Sequence, residues 1–208
     1  MRTFLIANPK GGCGKSTLSV HLATWFARCE EVVYLADLDR QQSSRYWIDS
    51  RPSGLPPVRV WEIDDTESIS PPKDGSIGII DSPAGLHGKA LKQVLSEVDR
   101  IIVPVSPSRF DMQASRDFFE ALAGVKAIRK EKVGVAVVGM RVDRRANSTL
   151  QLVDFLQGFD LPLVTCVRSA QRYVQALDTG STIFDGYRIP DSDWEDWQPL
   201  IDWLVSRR

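Results

Sequence analysis

The residues that most narrow what this chain can become are those at 10–17, KGGCGKST. Gly11, Gly12 and Gly14 leave the backbone free to curl, and Lys15 and Ser16 follow at once. A short apolar run precedes them at residues 3–7, and helical apolar periodicity starts at Leu18. Strand, glycine loop and helix in that order is the context a phosphate-binding loop requires, because loop N–H groups and the positive end of the helix must converge on one anion. In such a loop Lys15 reaches the β- and γ-phosphates, and the Ser16 hydroxyl is offered to Mg²⁺.

The rest of the chain fits that beginning. Apolar runs with β-branched residues recur at 3–7, 32–36, 58–63, 77–80, 100–105, 133–140 and 161–167. Several are apolar throughout, as parallel strands covered on both faces are. Between them, Leu18, Leu22, Trp25 and Phe26 form one helical stripe, and Phe118, Leu122, Val125 and Ile128 form another. The alternation predicts an α/β fold of the P-loop NTPase kind: a doubly wound, mostly parallel sheet flanked by helices. With 208 residues and 43% hydrophobic content, a single domain over 1–208 is expected.

Polar residues 64–75, DDTESISPPKDG, are expected to form a surface loop. A last helix is predicted at 193–206, where Ser192 and Glu195 have capping-box spacing and acidic residues precede Arg207 and Arg208. Its face of Trp194, Trp197, Ile201 and Leu204 is read as packing on the domain; a membrane anchor would fit poorly with the acidic DSDWEDW segment.

A net charge of −1 and a pI near 6.1 argue against a uniformly basic nucleic-acid binder, so any DNA contact must come from a local patch. Arg144 with Arg145, Arg168 with Arg172, and Arg207 with Arg208 are the candidate pairs, an ordinary solvated surface being the alternative for each. Cys13, Cys29 and Cys166 are widely spaced without a CxxC, which suggests neither a disulfide framework nor a thiolate metal site and fits a reducing cytoplasm. His21 and His87 have no partner at metal or triad spacing. The N-terminal run is too short for an export signal, and no run approaches a membrane span.

The ordinary pattern GxxxxGK[ST] demands glycine at position 9, where this chain has Pro9. KGGCGKS instead resembles the deviant Walker A motif, KGGxGK[ST], of the ParA/MinD family of ATPases. Two further segments follow in the family's order: LADLDRQQS is similar to DxDPQ, with Arg40 where proline is usual, and IGIIDSPAG is similar to DTPxG. The likeness covers roughly residues 2–185 and is nearest to the short ParA branch, which lacks a separate N-terminal DNA-binding domain.

The resemblance implies a slow ATPase that uses ATP and Mg²⁺ and forms a homodimer around the nucleotide. Lys10 would reach the partner subunit's ATP. Asp39 would position the attacking water, Asp37 would support the metal and phosphate-loop side, and Asp81 would hold Mg²⁺ through water. The loop residues Gly11, Gly12, Cys13, Gly14, Lys15, Ser16 and Thr17 would carry the phosphates, Gly85 would approach the γ-phosphate, and Met140 and Arg141 occupy the adenine region. Asp111 and Gln113 fall where the family dimerises, although Asp111 equally suits a helix cap. Cys13 is read as a small packing residue, with redox inhibition as the alternative. Family members bind DNA nonspecifically when ATP-bound, and a ParB-like or cargo-adaptor protein stimulates hydrolysis. A plasmid, chromosome, carboxysome or chemoreceptor cluster would serve as cargo for the same machine. A MinD-like membrane-associated regulator and a metabolic P-loop synthetase or kinase are the competing readings.

Overall fold

The computed structural model describes residues 1–63, 69–143, 146–159 and 161–206. The chain opens with β1 (Arg2–Ile6), α1 (Lys15–Arg28), β2 (Val33–Asp37), α2 (Ser43–Ser50) and β3 (Arg59–Val60). It continues through β4 (Ile77–Asp81), α3 (Gly88–Ser96), β5 (Arg100–Val105), α4 (Arg109–Ala123) and α5 (Lys126–Arg129). The last part holds β6 (Gly134–Val142), α6 (Asn147–Gln157), β7 (Leu163–Arg168), α7 (Gln171–Leu177), a 3-10 turn (Ile183–Asp185) and α8 (Asp191–Val205).

The seven strands lie in the order β3-β2-β4-β1-β5-β6-β7, and every pairing is parallel. Alternation along β1 shows why its sequence is apolar at each position. Phe4 and Ile6 enter the core shared with α1 and α8, whereas Leu5 and Ala7 enter the core under α3, α4 and α6. Both faces are covered, so neither parity can be polar.

Register then sets the level of the site. Ile6 lies opposite Asp81 across β1 and β4, and Asp37 lies opposite the same Asp81 across β2 and β4. The carboxyl ends of three adjacent strands therefore finish together, in the crevice where open α/β sheets bind ligands.

Several boundaries differ from the sequence reading. The run at 58–63 makes only the two-residue edge strand β3, because Pro56 and Pro57 remove two N–H donors and the Trp61 indole turns to the Ser70 carbonyl. The stripe of Phe118, Leu122, Val125 and Ile128 is divided between α4 and α5 at Gly124, yet all four side chains join one core. Of the expected loop at 64–75, residues 64–68 lie outside the described part.

The last helix begins at Asp191, not at residue 193. Pro190 precedes it without a side-chain cap, and the Ser192–Glu195 capping box does not form; instead the Ser192 carbonyl accepts from Arg168 Nη2 at 2.6 Å. The apolar face packs inward as expected: Trp197 is fully buried, Ile201 and Leu204 nearly so, and Trp194 rests on the same core. Arg207 and Arg208 lie outside the described residues, and the helix end is met by Arg100, whose Nη2 donates to the Ser206 carbonyl at 2.6 Å. Among the described residues no helix is long and apolar enough to cross a membrane.

Candidate nucleotide-binding site

The glycine loop is held from beneath by a residue that sequence reasoning overlooked. Asn8 is buried, and its Nδ2 donates to the Pro104 carbonyl at 2.8 Å and to Ser115 Oγ at 3.1 Å. Its Oδ1 accepts from the Lys10 main-chain N–H at 2.8 Å. One amide thus fastens the loop to the end of β5 and to α4. Its only signal in the sequence is a polar side chain ending an apolar run, which must find partners once buried.

Gly12 and Gly14 take φ values of 76° and 99°, which any side chain would strain. A Cβ at Gly11 or Gly12 would project into open space, the hollow of the loop, whereas one at Gly14 would stand 3.0 Å from Met140 Cε. The Lys10 carbonyl folds back to accept from Lys15 Nζ at 3.0 Å and from Cys13 Sγ at 3.3 Å. Cys13 is buried beneath the loop, and burial pushes its thiol up from the ordinary value, which favours the packing role over a reactive one.

Above the loop is a cavity of about 390 Å³, lined by Gly11, Gly12, Gly14, Lys15, Ser16 and Thr17 on one side. Asp39, Gln41, Ser43, Ala84 and Arg141 line the other. Asp39 bridges two loops: its Oδ1 accepts from Gln41 N at 3.0 Å and its Oδ2 from Ala84 N at 3.3 Å. Gly85, next to that contact, has φ 86°, and a Cβ there would meet no atom within 4 Å.

Asp37 is held by the start of α2. Its Oδ1 accepts from Asp39 N at 2.9 Å, while its Oδ2 accepts from Ser44 N at 2.8 Å and Arg45 N at 3.1 Å. The carboxylate is therefore the N-terminal anchor of α2, whose own flanking residue Gln42 supplies no side-chain cap. It does not line the phosphate cavity.

Asp81 is fully buried and accepts from Ser44 Oγ at 2.5 Å, a length suited to an ionised acceptor. Its Oδ1 has no hydrogen-bond partner among the described residues. Burial pushes the carboxyl up to about 6, opposed by the Ser44 and Ser16 hydroxyls and by Lys15, and assisted by the charge of Asp37. An orphaned carboxylate oxygen with the Ser16 hydroxyl nearby fits the oxygen donor set of a hydrated Mg²⁺. Among the described residues no group of three His, Cys, Asp or Glu side chains is placed to hold a metal ion.

A smaller cavity of about 90 Å³ adjoins the first at Gly14, Thr17 and Arg141 and is walled by Val167, Ala170 and Tyr173. Met140 is buried below it. Arg141 sits in a β-bulge between Met140 and Val142 with φ 57°, a strained left-handed conformation for a non-glycine residue. The bulge brings Arg141 to both cavities.

Lys10 lies elsewhere. Its Nζ is 3.8 Å from Asp111 Oδ1, and it does not line the cavity of its own loop. Asp111 is in the first turn of α4 but is not its cap; that is Ser108, whose Oγ accepts from Asp111 N at 3.1 Å. Gln113 is exposed on the same helix.

Two of the candidate DNA contacts pair with buried carboxylates of the last helix. Arg168 Nε meets Asp196 Oδ2 at 2.6 Å, and Arg172 Nη2 meets Asp193 Oδ1 at 2.5 Å, both carboxylates being fully buried. Burying a carboxylate demands a cation beside it, so these two arginines anchor α8, while their side chains stay 28% and 43% exposed. Arg144, Arg145, Arg207 and Arg208 lie outside the described residues. His21 is a core residue, stacked on Trp197 with Nδ1 at 2.7 Å from the Thr17 carbonyl, and burial lowers it to about 4.

A glycine loop and a buried lysine that line an open cavity after a β-strand and at the start of a helix, with an acidic strand end nearby, define a P-loop nucleotide-binding domain. Within that class the chain belongs to the CobQ/CobB/MinD/ParA nucleotide binding domain family, which matches residues 4–183. It is 28% identical over 188 residues to maintenance of carboxysome distribution protein A of Halothiobacillus neapolitanus, covering 88% of this chain and 86% of that one. Among solved structures, an ATP complex of a Cyanothece McdA variant superposes with a TM-score of 0.78 at 16% identity, covering 100% of this chain and 98% of that one. MinD cell division protein of Aquifex aeolicus superposes with a TM-score of 0.74 at 15% identity, covering 100% and 99%. At such identities the structural likeness speaks for the fold alone.

Proposed function

We propose that this protein is a ParA-type ATPase switch. It binds ATP with Mg²⁺, dimerises in that state, binds DNA nonspecifically, and positions or segregates a cargo. A ParB-like or cargo-adaptor protein stimulates hydrolysis and ends the cycle. The observation that carries this reading is the contrast between two lysines: Lys15 is buried and lines the cavity, whereas Lys10 is 45% exposed beside Asp111 and lies outside it. A cation at the rim of its own site is available to a second copy of the chain.

The chemistry needs little from the protein beyond placement and charge. Lys15 and the loop N–H groups take the phosphates. Ser16 and Asp81 hold Mg²⁺, which when bound neutralises charge on the β- and γ-phosphates. Asp39, at the cavity wall, orients a water for attack. Without Lys10 of a partner the site lacks one cation, so a lone subunit turns over slowly. The small apolar recess beside Tyr173 and Arg141 takes the adenine.

The relative from Halothiobacillus is named for carboxysome distribution, which makes a protein organelle one fitting cargo, beside a plasmid or chromosome. The protein then works in the cytoplasm and associates with the nucleoid when ATP-bound. Arg144, Arg145, Arg168, Arg172, Arg207 and Arg208 remain the candidate DNA contacts, Arg168 and Arg172 also pairing with carboxylates of α8. A MinD-like membrane helix is disfavoured, since the apolar face of α8 is already buried.

The test is light scattering of the Asp39→Ala protein with Mg²⁺ and ATP or ADP, combined with Lys10→Ala and Lys15→Ala. A dimer with ATP alone, lost in both lysine variants although only Lys15→Ala loses nucleotide, is the expected result. If Lys10→Ala kept ATP-dependent dimerisation, the protein would be an ordinary P-loop ATPase instead.

A further inference from the structure

Ser44 stands where two carboxylates meet, and no part of the reading above uses it. It is the second residue of α2 and is fully buried; Trp47 is the other buried side chain of that helix. Its main-chain N–H donates to Asp37 Oδ2 at 2.8 Å, and its hydroxyl donates to Asp81 Oδ2 at 2.5 Å. A hydroxyl can rotate to many acceptors, but here the anchored backbone leaves it aimed at one oxygen. Asp81 Oδ2 is thereby occupied and Oδ1 is left without a partner among the described residues.

We propose that Ser44 is a positioning residue for the metal site: by occupying Asp81 Oδ2 it fixes the carboxylate rotation and presents Oδ1 to the magnesium-binding region. The inference rests on the nucleotide-site reading and deepens it. Carboxylates near a metal are themselves oriented by hydrogen bonds, and loss of such a partner lowers metal affinity by about 10- to 100-fold. A serine serving only to fill space would be interchangeable with alanine, because the volume difference is a single oxygen. The geometry also gives α2 a mechanical link to the metal site, since the same residue holds the helix start on Asp37 and Asp81 at once.

The test measures binding of a fluorescent ATP analogue to the full chain, without metal and across a Mg²⁺ titration, for wild type, Ser44→Ala and Ser44→Thr. The expected result is that Ser44→Ala keeps metal-free nucleotide affinity within about twofold and raises the half-saturating Mg²⁺ concentration about 10-fold, in the range for outer-shell partners. Ser44→Thr, which keeps the hydroxyl, returns the Mg²⁺ dependence toward wild type. An unchanged Mg²⁺ midpoint in Ser44→Ala overturns the inference. So does an equal loss of metal-free and metal-dependent binding, because the hydroxyl would then support only the fold. A wild-type chain whose nucleotide affinity ignores Mg²⁺ would sink the nucleotide-site reading itself, and this inference with it.

Discussion

Lys10 Nζ lies 3.8 Å from Asp111 Oδ1, so the lysine that distinguishes this loop from an ordinary one is paired within its own subunit. Both side chains reach solvent, at 45% and 18% exposure, and a pair of that kind contributes about 0–1 kcal/mol. The contact is weak enough to be exchanged for a phosphate. Asp111→Asn is therefore expected to leave thermal stability within about 1 kcal/mol of wild type while tightening ATP-dependent self-association. Sedimentation velocity at several concentrations would show it; weaker association would mean that Asp111 acts across the interface.

Asp81 predicts an unusual pH dependence in the absence of nucleotide and metal. Its folded carboxyl is raised from 3.8 to about 6, so the folded chain holds this proton more tightly than the unfolded one. The stabilising contribution is complete below the unfolded value and is lost as pH climbs through about 6. Asp81→Asn should thus gain stability over wild type as pH rises from about 4 to about 7, by an amount on the order of 1–3 kcal/mol. Urea unfolding in chelator at both pH values measures the gap, and a gap that shrinks with pH would contradict the buried-carboxylate account.

Asn8 holds the loop through one amide. Asn8→Ala removes this partner from the buried Pro104 carbonyl and from the half-buried Lys10 N–H, and a buried polar group so deprived costs about 1–3 kcal/mol. A lowered unfolding midpoint and weaker nucleotide binding are expected together. Weak binding with full stability would show that Asn8 acts on the ligand and not on the loop.

Arg168 should behave as a structural residue. Removing it leaves the fully buried Asp196 carboxylate without its guanidinium partner, which costs about 3–5 kcal/mol for a buried pair and less here because Arg168 is 28% exposed. Arg168→Ala is expected to lower stability clearly, and Arg168→Ala combined with Asp196→Leu to recover much of it. Thermal unfolding of the single and double variants decides this. Charge reversal for DNA binding is better placed at Arg144 and Arg145, where loss of affinity at every sequence and a shallower salt dependence would be expected.

What the sequence determined by itself is whatever depends on neighbours along the chain. Apolar parity marked β1, β2, β4, β5, β6 and β7 to within a few residues, because a strand buried on both faces has no polar position to spare. Gly12 and Gly14 announced a loop of left-handed backbone, and Asp81 was legible as the polar end of a buried strand. What only the tertiary structure decided is which charges are already satisfied. Arg168 finds Asp196 across 28 residues of chain, Arg172 finds Asp193 across 21, and Ser44 finds Asp81 across 37. A sequence presents these groups as available chemistry. Burial compels each carboxylate to take the nearest donor in space, and that partner is set by strand order and helix packing, not by distance along the chain.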